Sequence, residues 1–125
     1  MDRRKELIRA YKDNPPAAGV YRIRNLVNGK SYVAGAPSVD GKLNGQRFQL
    51  QGGHHINAAL QSDWNAQKPE DFVFEVLEYL KPPSADASAL VLREALAELE
   101  KRWRETLRPY GEKGYNKPPA EDSKE

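Results

Sequence analysis

Alternating apolar and polar positions between residues 19 and 34 predict a β-hairpin near the start of the chain. Residues 19–27 and 30–34 are rich in β-prone side chains, and successive side chains of a strand point to opposite faces. Asn28-Gly29 lies between the two runs, and this dipeptide is a strong short-range signal for a hairpin turn. We therefore expect two antiparallel strands joined at Asn28-Gly29.

The register of this hairpin decides where two tyrosines meet. If Val27 pairs with Lys30 across the turn, Asn25 lies opposite Tyr32. Tyr21 and Tyr32 then share one face of the sheet but lie on the order of 13 Å apart along it. Taken alone, both phenols are expected to pack in the sheet with their hydroxyls at its edge.

Helical periodicity recurs in three later stretches of the chain. Residues 39–50 are predicted to form a helix that Ser38 caps. Residues 57–66 are predicted to form a second helix, which Asn57 caps. Residues 88–107 carry the longest apolar stripe and are predicted to form the longest helix.

The remaining run of apolar residues, 72–80, alternates on two apolar faces and predicts a central strand covered on both sides. Together these elements predict an α/β protein of the α+β type, with a small, largely antiparallel three-stranded sheet flanked by helices. We expect an N-terminal helix and proline linker over residues 1–16, the folded domain over residues 17–117, and a disordered tail over residues 118–125.

Composition narrows the class of protein. The 125 residues include no cysteine, which excludes disulfides and cysteine-ligated zinc. No apolar stretch is long enough to predict a membrane span, and we expect a cytoplasmic location.

Charge is distributed unevenly along the chain. Residues 1–60 carry ten Lys or Arg against four Asp or Glu, whereas residues 61–125 carry ten against fourteen. Ordinary solvated surface is the simpler interpretation of charge alone, but a basic half can also bind phosphates without sequence specificity. The predicted contacts to nucleic acid are Arg22, Arg24, Lys30 and Arg47.

Several motifs in a fixed order resemble the GIY-YIG nuclease family. The chain contains Gly19-Val20-Tyr21, then Tyr32-Val33-Ala34, and finally Gly114-Tyr115-Asn116, across about 100 residues. Tyr-x-Ile-x-Asn and Asn-Gly-Lys lie between the first two motifs, and Glu100 precedes Trp103 on the last helix. Each motif is weak alone, but their order makes the resemblance fairly specific.

The resemblance implies hydrolysis of DNA phosphodiester bonds with one divalent ion, Mg²⁺ or Mn²⁺. It implies that Tyr21 orients or deprotonates the attacking water and that Tyr32 hydrogen-bonds this water or the scissile phosphate. It also implies that Glu100 is the carboxylate ligand of the ion, that His55 lies near the phosphate, and that Asn116 anchors the site.

Three positions depart from the family pattern. An ungapped count places Lys42 where the family has an arginine, and Gln46 where many members have a histidine. Lysine keeps the positive charge of arginine but lacks the planar guanidinium that binds a phosphate through two N–H groups. Glutamine cannot accept a proton from water. Ala34 replaces the glycine of the second motif. Lys42 remains in the predicted catalytic set.

These departures leave three functions open. The first is a metal-dependent DNA endonuclease, directed either by the domain itself or by a protein partner. The second is a catalytically weakened module of the same fold that binds nucleic acid or regulates. The third is an interaction domain without affinity for DNA.

Overall fold

The computed structural model describes residues 17–118. Its sheet has three strands, β1 (Gly19–Asn25), β2 (Ser31–Ala36) and β3 (Phe72–Tyr79), in the spatial order β2-β1-β3. Both pairings are antiparallel. The predicted α+β fold with a small antiparallel sheet is confirmed.

Three helices accompany the sheet: α1 (Val39–Gly52), α2 (Ala58–Ala66) and α3 (Ala89–Leu107). Two of the helices begin at side-chain caps, since Asn57 accepts from the amide of Leu60 and Ser88 accepts from the amide of Val91. Such caps satisfy amides that have no partner within the helix. Ser38 precedes α1 without a capping hydrogen bond from its side chain.

The helices cover opposite faces of the sheet. On one face, Tyr21 and Ile23 of β1 pack in a cluster with Leu43 and Leu50 of α1 and Leu60 of α2. On the other face, a smaller cluster contains Val20, Val33 and Leu99. Because successive residues of β1 enter the two clusters in turn, this strand is buried on both sides.

The prediction that residues 72–80 form the central strand is wrong. β1 pairs with both neighbours and occupies the centre, whereas β3 lies at an edge. Its two apolar faces arise because Phe74 and Val76 pack against the larger cluster and Leu77 packs against the smaller one. A pattern of apolar faces reports covering by helices, and it does not distinguish a central strand from a covered edge.

The predicted register of the hairpin is also wrong, by two residues. Asn25 pairs with Lys30 and donates its amide to that carbonyl at 2.8 Å, so Tyr32 lies opposite Ile23. The connection is four residues long and ends at Gly29, whose φ of 77° suits glycine. Buried Asn25 fixes this longer turn, because its side-chain oxygen accepts from the amide of Val27.

Two predicted segments fall at the ends of the chain. The N-terminal helix and linker, over residues 1–16, and residues 119–125 of the predicted tail lie outside the described residues. Within residues 17–118, no helix is long and apolar enough to cross a membrane.

Candidate active site at the β2 edge of the sheet

The outer edge of β2 is closed by the segment that contains the third motif. Asn116 accepts from the amide of Val33 at 2.9 Å and donates its side-chain NH₂ to the carbonyl of Val33 at 2.7 Å. The carbonyl of Ser31 accepts from the amide of Tyr115 at 2.9 Å. Asn116 therefore imitates a neighbouring strand, and both ends of its amide are used in holding β2.

Helix α3 closes the next part of the same edge with charged side chains. Glu100 Oε2 accepts from the amide of Gly35 at 2.6 Å. Arg104 donates from Nε and Nη2 to the carbonyl of Val33 at 3.3 and 3.2 Å. Arg104 Nη1 lies 3.6 Å from Glu100 Oε1, one helical turn away. These bonds bring a carboxylate and a guanidinium to the strand that carries Tyr32.

A close approach at Gly35 makes this contact possible. A Cβ atom at Gly35 would lie 3.2 Å from Glu100 Oε2 and 3.2 Å from a methyl carbon of Leu96. A larger residue would therefore require the side chains of Glu100 and Leu96 to shift by a few tenths of an ångström. Ala34, which replaces the motif glycine, instead packs its methyl against the larger core cluster.

The two tyrosines lie much closer than the predicted register allows. Their ring centroids are 6.4 Å apart with the ring planes tilted by 50°. Burial raises the pKa of Tyr21 well above the usual range, and the neighbouring Tyr32 and Glu100 raise it further while Arg104 opposes them. Burial also raises the pKa of Tyr32, with Arg104 lowering it and Glu100 raising it.

Both phenols are therefore neutral at physiological pH. The same balance of charges shows that Glu100 and Arg104 act electrostatically on both rings. Tyr21, Tyr32, Glu100 and Arg104 form one polar group at the β2 edge.

His55 forms the opposite side of this group. Its ring meets Tyr32 edge-on at a centroid distance of 5.6 Å. Nδ1 accepts from the amide of Asn57 at 2.9 Å, which assigns the proton to Nε2, and Nε2 bonds to Gln46 Oε1. Burial lowers the pKa of His55, and the charge of Lys42 lowers it further. His55 is thus a neutral imidazole with both nitrogens engaged.

Helix α1 supplies the two residues at the positions that depart from the family pattern. Lys42 and Gln46 are one turn apart and share a side of the helix. Gln46 is buried against His55, whereas Lys42 is exposed. The ammonium of Lys42 therefore lies near His55 but remains in water.

The predicted nucleic-acid contacts of β1 lie on the face away from the tyrosines. Arg22 shares its face with Val20 and pairs with Glu75 at 3.2 Å. Arg24, two residues on, lies on the same face and is exposed. The charge of Arg22 is already matched, so Arg24 is the better placed of the two for a phosphate.

The other two predicted contacts stack on aromatic rings. Lys30 Nζ lies 5.8 Å from the ring centroid of Tyr115, and the guanidinium of Arg47 lies 4.2 Å from that of Phe74. Such cation–π contacts hold a cation to the surface and leave its charge exposed to solvent. The four predicted basic residues therefore do not form a single patch.

Glu100 is the carboxylate that would bind the divalent ion implied by the family resemblance. Glu100 is partly exposed, and each of its oxygens has a lone pair beyond those used by Gly35. Residues 17–118 hold no group of three or more His, Cys, Asp or Glu side chains in metal-binding geometry. One carboxylate fits Mg²⁺ or Mn²⁺ that keeps most of its waters, and it does not fit a closed protein cage.

Sequence reasoning missed Arg104 as a member of the site. Neither the motif order nor the apolar stripe of residues 88–107 singles it out. The available signal was its spacing, since residues four apart on a helix share a face. Its bond to the carbonyl of Val33 depends on how α3 crosses β2, which the spacing does not reveal.

Two solved structures resemble this chain. One is the catalytic domain of the homing endonuclease I-TevI, with 25% identity, a TM-score of 0.62, and coverage of 82% of this chain and 99% of that chain. The other is a point mutant of the catalytic domain of intron endonuclease I-TevI, with 24% identity, a TM-score of 0.63, and coverage of 80% and 92%. No protein-family model and no curated protein matches the chain.

Proposed function

Because this chain belongs to the GIY-YIG nuclease family by its motif order and its fold, we propose that it is a metal-dependent DNA endonuclease. The reaction would be hydrolysis of a phosphodiester bond, with DNA as the partner. The similar I-TevI domain is the catalytic domain of a homing endonuclease, and its likeness to this chain supports the proposal.

The observation that carries the proposal is the position of Glu100. A carboxylate from α3 reaches the strand that bears the second motif and bonds to Gly35 at 2.6 Å. It acts electrostatically on Tyr21 and Tyr32, although the two tyrosines and the glutamate lie on different elements. The carboxylate therefore lies beside the second motif, where it is partly exposed and keeps lone pairs that an ion could use.

Each side chain of the group has a distinct chemical role in this proposal. Tyr21, as a neutral phenol, orients the attacking water, and Tyr32 hydrogen-bonds the water or the phosphate. Glu100 would hold Mg²⁺ or Mn²⁺, which supplies charge stabilisation to the phosphoryl and leaving oxygens. Asn116 keeps β2, and therefore Tyr32, in place through its two bonds to Val33.

His55 contributes through position in this proposal. Its Nδ1 is occupied by the amide of Asn57, so the imidazole offers no lone pair for a proton from water. Its ring holds Tyr32 from the side, and Lys42 nearby adds a positive charge that attracts phosphate.

The Gln46–His55 contact favours a second candidate function. Neither group can take a proton while they bond to each other, and a missing catalytic group costs roughly 10²–10³ in rate. The alternative is therefore a catalytically weakened module that binds nucleic acid. It predicts salt-dependent DNA binding that survives loss of Glu100.

The test is cleavage of supercoiled plasmid and of single-stranded DNA in Mg²⁺ or Mn²⁺. Wild type is compared with Tyr21→Phe and Glu100→Ala, with Glu98→Ala as the exposed control on the same helix. We expect cleavage by wild type and the control, and its loss in both site variants. Binding without cleavage would favour the second function, and no DNA affinity at moderate salt would favour an interaction domain.

A further inference from the structure

Arg104 is held by the backbone of β2 in addition to its ion pair with Glu100. Its Nε and Nη2 both donate to the carbonyl of Val33, at 3.3 and 3.2 Å. Two donors on one acceptor fix the plane of the guanidinium beside the second motif. A neutral carbonyl orients the group without cancelling its charge.

The charge of Arg104 is only partly compensated by Glu100. The separation of 3.6 Å between Nη1 and Oε1 is longer than a hydrogen bond, and both side chains are about one-third exposed. Two of the five guanidinium N–H donors bond to Val33, and Nη1, which pairs with Glu100 Oε1, carries two more. A planar donor pair is therefore fixed, charged and accessible next to the carboxylate.

The other arginines near the tyrosines have different contacts. Arg22 pairs with Glu75 on the opposite face of the sheet, and Arg47 stacks over Phe74. Lys42 on α1 is a point charge without a planar fork. Arg104 is thus the guanidinium that hydrogen-bonds to the backbone of β2, the strand that carries Tyr32.

We infer that Arg104 binds a non-bridging oxygen of the phosphodiester, from the α3 side of the site. This inference rests on the proposed function, because the ligand is the phosphate that the endonuclease would cleave. The guanidinium fork matches a phosphate in shape and charge. Glu100 would hold the divalent ion, and its carboxylate would then offset the charge of Arg104 less.

The experiment measures DNA affinity in the full-length chain carrying Tyr21→Phe to prevent cleavage. A fluorescently labelled duplex and the matching single strand are titrated in Mg²⁺ over a range of KCl concentrations. The variants are Arg104→Gln, Arg104→Lys and the control Arg102→Gln. Arg102 is exposed on α3 and projects about 160° away from Arg104.

We expect Arg104→Gln to weaken binding about tenfold and to reduce the salt slope by about one. Arg104→Lys should keep the salt slope and recover part of the affinity, because it retains the charge without the fork. Arg102→Gln should match the parent in both quantities. Thermal unfolding of each variant identifies any that fails to fold, and Arg104→Lys then decides whether the fork matters.

An unchanged salt slope and affinity in Arg104→Gln would overturn the inference, even if Glu100→Ala abolishes cleavage. A lower unfolding temperature with an unchanged slope would likewise assign Arg104 a purely structural role. If wild type binds DNA without cleaving it, the endonuclease proposal fails while the slope still decides the role of Arg104. If wild type does not bind DNA, both fail.

Discussion

The two sides of the candidate site differ in what they leave available for chemistry. On the α3 side, Glu100 and Arg104 bond to the backbone of β2 and remain about one-third exposed. On the α1 side, Gln46 and His55 bond to each other and are buried. The first side presents charge to a ligand, whereas the second satisfies its own polar groups.

This difference separates two tasks that a nuclease needs. Charge stabilisation requires ions fixed at an accessible place, and the α3 side supplies them. Proton transfer requires a group with a suitable pKa and a vacant lone pair, and His55 on the α1 side lacks the second. The site is therefore better equipped to bind and polarise a phosphate than to activate water.

The largest predicted effect comes from removing the negative charge of Glu100 on the α3 side while keeping the fold intact. Glu100→Gln retains an oxygen that can accept from Gly35 but removes the negative charge. We expect the plasmid-nicking rate in Mg²⁺ to fall by roughly 10²–10³ or more, because the ligand for the ion is lost. Glu98→Gln on the same helix should nick at the wild-type rate, and equal rates for both variants would refute the role of Glu100.

The next largest effect concerns Asn116, which holds the outer edge of β2. Asn116→Ala leaves the amide and the carbonyl of Val33 without their buried partner. We expect the free energy of unfolding to fall by about 2–4 kcal/mol, as measured by urea denaturation. Asn44→Ala, at an exposed position of α1, should change it by less than about 0.5 kcal/mol. A similar small change at Asn116 would contradict the strand-mimic role.

A substitution on α1 is expected to raise the nicking rate. Lys42→Arg restores the planar fork at an exposed position of α1 without altering the Gln46–His55 pair. We expect a roughly several-fold higher nicking rate, since bidentate phosphate contacts are stronger than single ones. Lys68→Arg, another exposed lysine, serves as the control. An unchanged rate in Lys42→Arg would place the phosphate on the α3 side alone.

The smallest predicted effect is a change in how the free energy of unfolding depends on pH, caused by the neutral state of His55. Its pKa is lowered by burial from the ordinary value of 6.5, so the unfolded chain binds a proton more readily than the folded chain. Its contribution to stability is therefore present above pH 6.5 and is lost as pH falls through the lowered pKa.

Urea denaturation at several pH values measures this dependence. His55→Gln should lose less stability than wild type as the pH is lowered from 7, whereas His54→Gln should behave as wild type. Identical pH profiles for wild type and His55→Gln would show that His55 is not held neutral.

Local signals in the sequence predict the elements well. The predicted cap of α2 by Asn57 and the predicted shared face of Tyr21 and Tyr32 are confirmed, whereas the predicted cap of α1 by Ser38 is wrong. The helix cap and the shared strand face each depend on residues close together in sequence. The family resemblance is confirmed by the fold.

Long-range features are the ones that sequence reasoning missed. The hairpin register depends on Asn25, whose side chain bonds to Gln67 and to the hydroxyl of Tyr115. These partners lie 42 and 90 residues away in sequence. The role of Arg104 similarly depends on how α3 crosses β2. No periodicity in the sequence reports such contacts.

The proposed function depends above all on a divalent ion binding at Glu100, on the α3 side of the site. Paramagnetic broadening of backbone amide signals by Mn²⁺, recorded by NMR, measures the location of the ion directly. We predict that Gly35 and Glu100 broaden first, that His55 broadens later, and that Glu100→Gln abolishes the effect. Broadening centred on His54 and His55, with the Gly35 signal intact, would contradict the claim.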